Sequence, residues 1–194
     1  MRVVRLCPVS LAVGLAVLTG APQASAQDRP KIELTPGFVF PTDFRNWNPD
    51  VFGRNGMFRF RQTNGNCQVT FAQNRGADAA RVAGRGPQNS LDAYIDGVTA
   101  RISKLTRNKA PTVELSRNWV NPHAAGEKVT FISEEIAYTG KDNVAYHNRI
   151  SVQWVGDVEL LIIAACPSAE WNRSQDLLDT FLNNVSIVAT AEPK

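Results

Sequence analysis

The chain has 194 residues, with 21 Lys and Arg against 18 Asp and Glu. That length suits a single hydrophobic core, and so even a charge balance leaves no electrostatic case for nucleic acid or an acidic membrane as partner. With three cysteines and two histidines, thiol and imidazole chemistry is confined to a few positions.

The first element is an export signal. Arg2 and Arg5 precede the apolar run from Val9 to Leu18, and Ala24, Ser25 and Ala26 stand just before the polar Gln27. This is the charged, apolar and small-residue order of a cleavable secretory signal, and the apolar run is shorter than the roughly 20 residues of a spanning helix. Residues 1–26 are therefore expected to be removed, leaving a periplasmic or secreted protein with no transmembrane anchor. Cys7 leaves with the signal, so Cys67 and Cys166 are the thiols that remain. In an oxidising compartment they are expected to pair as a disulfide.

Residues 27–56 are rich in Pro, Asn, Asp and Gly, punctuation that breaks long regular structure. The segment is expected to be an irregular arm with a short strand at Phe38 to Phe40, laid over the core by its aromatics. Phe44, Trp47 and Phe52 are its candidate groove-lining side chains, for a partner or a small apolar ligand. The rest, residues 57–190, reads as one α+β domain. Met57 to Gln62 and Cys67 to Ala72 alternate apolar and polar residues around Asn64-Gly65, which predicts a β-hairpin. Asn74 to Asn89 lacks an apolar face and is expected to be a loop, in which Arg75, Arg81 and Arg85 could meet a carboxylate or phosphate surface.

Ser90 is the expected cap of a helix with Leu91, Tyr94, Ile95, Val98, Ile102 and Leu105 at helical spacing. After a short strand at Thr112 to Leu115, three longer ones are expected at 128–138, 143–155 and 158–166, joined by a turn at Thr139 to Asp142 and the two-residue turn Gly156-Asp157. The apolar phase of the first shifts between Phe131 and Ile132, for which a β-bulge near Ser133 would account. In the second, His147, Arg149, Ser151 and Gln153 make a polar face. The third is apolar on both faces and is expected at the centre of the sheet. Pro167 and Ser168 open a second helix carrying Trp171, Leu178, Phe181, Leu182 and Val185, and a strand at Ser186 to Ala189 is expected to close the sheet.

Chemistry is sparse. The Gly156-Asp157 turn sets a register that places His147 opposite Cys166, but an oxidised Cys166 is no nucleophile. His123 lies in the loop Asn121-Pro122-His123 without a second ligand at metal-like spacing. Glu134 and Glu135 point to opposite faces of a regular strand, so they make no close carboxylate pair. His147 and Glu134 are the weak polar-site candidates. The sequence holds no nucleophile elbow, zinc-binding His-Glu-x-x-His pair or phosphate loop, and no cofactor or metal is expected.

Phe58 to Phe71 before the helix start Ser90-Leu91-Asp92-Ala93-Tyr94, and Val158 to Cys166 before Trp171 to Val185, make an order of elements that resembles the PsbP-like and DcrB-like group. The resemblance implies an α/β/α sandwich: an antiparallel sheet of five to seven strands with two main helices packed on it. It also implies a noncatalytic accessory role, with another envelope or secreted protein or a small ligand as partner. An exported hydrolase using His147 and Glu134, and a docking component of an envelope or secretion assembly, are the alternative readings. Intact mass of the exported protein should correspond to a chain beginning at Gln27, two hydrogens short of the reduced form; a start at Met1, or an unchanged reduced mass, would contradict the signal or the disulfide.

Overall fold

The computed structural model describes residues 39–41, 45–52, 57–105, 112–121 and 129–187. The proposed signal peptide, Phe44 and His123 lie outside the described residues.

Alternating side chains around Asn64-Gly65 form the predicted hairpin. β3 (Phe58–Gln62) and β4 (Gln68–Arg75) pair antiparallel with Phe58 opposite Phe71 and Phe60 opposite Val69. The strand β2 (Trp47–Phe52) flanks β3, so part of the expected irregular arm belongs to the sheet. Its pairing shifts register between Pro49 and Val51, where proline cannot donate to a ladder.

The second half of the sheet is a meander of β5 (Thr112–Asn121), β6 (Val129–Thr139), β7 (Ala145–Val155) and β8 (Val158–Pro167). The expected strand at Thr112 is thus ten residues long. Gly156 has the positive φ, 54°, that the β7–β8 turn requires, and the resulting register sets His147 opposite Cys166. Strand order is β2-β3-β4-β8-β7-β6-β5. The doubly apolar β8 is central, as its two-faced hydrophobicity predicts. The expected bulge near Ser133 is absent, since Ser133 pairs in register with both Arg117 and Ser151. The register shift falls instead between Val113 and Leu115 of β5. The phase change in β6 has another cause: Phe131, Ser133 and Glu135 continue one face, and the polar members of that face are buried.

Two helical layers cover the sheet. α2 (Pro87–Leu105) buries Leu91, Ile95 and Ile102 against Ile136, Ile150, Val152, Trp154 and Leu161. It begins at Pro87, suited to a first helical turn where no N–H is needed; Ser90 is inside the helix and not its cap. α3 (Ser168–Asn183) covers the other face, where Trp171, Leu178, Phe181 and Leu182 join Phe60, Val69, Phe71 and Ile162. Trp47 stacks on Phe181 with ring centroids 4.7 Å apart.

The expected Arg and Gly loop is largely ordered structure. Arg75 ends β4 opposite Val158, and Arg81 lies on α1 (Ala77–Val82). Asp157, in the β7–β8 turn, accepts the Gly76 and Ala77 N–H groups on its carbonyl and those of Gly76 and Asp78 on Oδ1 at 3.1 to 3.2 Å. A remote residue thus supplies the N-terminal hydrogen bonds of α1. The last strand, β9 (Val185–Ile187), pairs with β1 (Val39–Pro41) in a separate two-stranded sheet, and does not close the main one as expected.

Cys67 and Cys166 form the predicted disulfide, with Cα atoms 4.2 Å apart; they continue the β4–β8 register beyond Gln68 and Ala165. The bond closes a loop of 99 residues. Replacing both cysteines by serine should lower the unfolding free energy by about 2 to 4 kcal/mol, read from urea transitions; an unshifted midpoint would mean that the ladder alone holds these strand ends.

Candidate functional site

The face that α3 covers carries the densest set of ionisable side chains among the described residues. Strand alternation and register bring Arg117 of β5, Ser133 and Glu135 of β6, and His147, Arg149 and Ser151 of β7 to one side of the sheet. Glu135 is 5% exposed and Arg149 3%. Arg149 donates from Nε to Glu135 Oε1 at 2.9 Å and from Nη1 to Asp179 of α3 at 2.9 Å. Arg117 pairs with the same Oε1. His147 places Nε2 3.1 Å from Glu135 Oε2 and Nδ1 3.4 Å from Glu114 Oε2. The register shift between Val113 and Leu115 brackets Glu114. Trp171 closes the cluster from above, its ring 4.2 Å from the imidazole centroid and nearly parallel, with the Arg149 guanidinium 5.5 Å from the same indole. Next to it, the Ser133 and Ser151 hydroxyls are 2.8 Å apart and Trp119 Nε1 donates to Ser151.

Such a carboxylate survives burial only because cations compensate its lost hydration. The arrangement couples β5, β6, β7 and α3. Both ring nitrogens of His147 face carboxylates and one ring face is covered. The cysteine opposite it is oxidised. Glu134 lies on the other sheet face, beside Ser116, Asn118, Gln88 and Leu91, so the two polar-site candidates do not converge. The carboxylates that meet His147 are those of Glu135 and Glu114. Among the described residues no group of three or more His, Cys, Asp or Glu is placed to hold a metal.

The three arginines of the predicted interaction loop separate. Arg75 and Arg85 line a pocket of about 170 Å³ with Asn74, Asn89, Trp154 and Glu159. Arg81 turns away to Asp78 and to the Gly156 carbonyl, and lies 5.5 Å from the Trp154 ring. Glu159 anchors α2 to the sheet. Its Oε1 accepts from Asn74 Nδ2 at 3.0 Å and Tyr94 Oη at 2.6 Å, and its Oε2 accepts from Ser90 and from Trp154 Nε1. Burial works against charge on this carboxylate, yet the four donors outweigh it and hold its pKa below the ordinary range. The same burial, followed by the bond to Glu159, pushes the Tyr94 phenol upward.

Of the arm aromatics, Trp47 is buried at the rim of a cleft of about 330 Å³ with Leu177, Thr180 and Phe181, and Phe52 lies in β2. Nothing in the sequence marks Arg117 or Glu159 as site residues, and it presents Glu135 only as the neighbour of Glu134 and Trp171 only as part of the second helix's apolar spacing. The available signal was the polar alternation of β7, which becomes informative once Arg117, Glu135 and Arg149 are known to share a face.

No protein-family model and no curated protein matches the chain by sequence. In fold it is similar to the Saccharomyces cerevisiae Ran-binding protein Mog1p, with a TM-score of 0.50 and 7% identity over 81% of this chain and 94% of that one. A Mog1 point mutant gives 0.50 and 8% over 82% and 95%. A PsbP from a Synechocystis species aligns with a TM-score of 0.49 and 16% identity over 74% and 82%. The likeness to the two Mog1 structures is one of architecture, and the antiparallel sheet between helical layers agrees with the sandwich implied by the order of elements. Glu135→Gln, which leaves the buried Arg149 and the part-exposed Arg117 short of a countercharge, should destabilise the protein by about 3 kcal/mol in urea unfolding; a loss below about 0.5 kcal/mol, the scale of an exposed pair, would show that the cluster is solvated.

Proposed function

We propose that the chain is an exported, noncatalytic accessory protein of the bacterial envelope or secretome that binds another protein along β5. The observation that carries this reading is the contrast between the two sheet edges. β2 is short, contains Pro49 and slips register, devices that discourage pairing with a further strand. β5 is ten residues long and terminal in the sheet, with no described strand on its outer side. Val113 and Leu115 are each 47% exposed and Val120 is 45% exposed. Its charged residues, Glu114 and Arg117, are drawn into the His147 and Glu135 cluster and so guard the edge poorly. An extended partner segment added here would gain main-chain hydrogen bonds, with alternate side chains reading the two faces.

The signal-like residues 1–26 and the disulfide support an oxidising location outside the cytoplasm. The hydrolase alternative required His147 and Glu134 in one pocket, and they stand on opposite faces. Tagged protein incubated with envelope and culture-fluid fractions should retain a partner at stoichiometric level, with the β5 amides protected from exchange on binding. Val113→Lys with Leu115→Lys should weaken retention by about tenfold, the scale of one lost anchor in an interface. No stoichiometric partner removes the accessory reading; equal retention by the variant removes β5 as its docking edge.

A further inference from the structure

We propose that His147 is a proton-dependent fastener of β5, holding the first half of that strand to the sheet when the imidazole is charged and releasing it when the imidazole is neutral. This rests on the reading of β5 as docking edge only for its functional consequence.

The geometry sets the requirement. Nδ1 faces Glu114 of β5 and Nε2 faces Glu135 of β6. A neutral imidazole has one N–H and one lone pair, whereas the imidazolium has two N–H groups. Only the charged ring donates to both carboxylates. The neutral ring turns a lone pair toward one of them.

The charges around the ring lead to the same requirement. β5 contributes Glu114 and Arg117, β6 contributes Glu135, β7 contributes Arg149, and α3 contributes Asp179 through Arg149. β8 presents the disulfide-bonded Cys166, which does not titrate. Three carboxylates thus meet two guanidinium groups, and the cluster is one positive charge short until His147 takes a proton. Trp171 lies stacked on the same ring and turns its π face to it.

The two contacts differ in what happens when the proton leaves. Glu135 is buried and also held by Arg117 and Arg149, so it stays. Glu114 has a side chain 48% exposed and is free to turn to water. The link that opens is therefore the one to β5, beside its register shift. The sign follows from the donor count: the fastening is complete with the ring protonated and is lost once rising pH removes the second N–H. Partner capture on β5 strengthens in the opposite direction, toward acid.

Amide hydrogen exchange of the purified protein, corrected for intrinsic rates, tests this without any partner. Protection of residues 112–117 should fall roughly fivefold between about pH 5.5 and about pH 8, the upper end of what one partly exposed ion pair contributes. Residues 160–164 of β8 serve as an internal reference and should not change. His147→Gln should show the lower protection at both pH values, and Glu114→Gln, which leaves the buried part of the cluster intact, should flatten the step. Equal protection of the wild-type segment at both pH values overturns the proposal, as does a step that persists in both variants. Either result leaves partner binding to be judged separately, and failure to capture a partner leaves the exchange result standing.

Discussion

Glu135 sits beneath a helix, on the inner face of a sheet, where an ionised carboxylate is costly unless cations reach it. Much of the α3 side follows from that constraint. Arg149 must lie two residues along β7 from His147 to approach from the neighbouring strand, and Arg117 must come from β5 on the far side. Asp179 balances the second amino group of Arg149 and so ties the helix to the sheet at a polar point, beside the apolar packing of Leu178 and Phe181. The helix, three strands and the orientation of Trp171 share one electrostatic network, and a change in any of them is felt by the rest.

The opposite face is built differently. There one carboxylate, Glu159, is satisfied entirely by neutral donors from α2, β4 and β7. Neutral donors leave a formal charge in place but give it directed bonds, which suits the fixing of a helix start. A seven-stranded sheet thus has apolar packing at its centre and a polar lock on each side, one ionic and one not.

Much of this was legible in the residues. Period-2 alternation gave the hairpin at Asn64-Gly65, and the glycine at 156 set the register that brings His147 opposite Cys166. Helical spacing placed α2 and α3, and the signal-like order of residues 1–26 made a disulfide the expectation for the two remaining cysteines. What escaped has physical causes. A face reading His147, Arg149, Ser151 looks solvent-facing when its partners are unknown, because polar residues are buried only where others compensate them. The short helix α1 depends on Asp157, some 80 residues away, and no local pattern reports a remote cap. The six-residue β2 hides behind Pro49, which argues against a strand except at an edge or a bulge, and β2 has both. The register shift in β5 falls at Glu114, beside the histidine, and leaves no mark on apolar phase.

β1 and β9 pair with Val39 opposite Ile187 and Pro41 opposite Val185, so the described chain enters and leaves at one point. Tension applied through its two ends would load this little ladder from its open end, one rung after another, in the peeling geometry that yields at low force. The larger sheet is spared until those three rungs have parted. Under mechanical load the pair acts as a breakaway latch, and the two flanking segments, wherever they are anchored, pull on a common hinge.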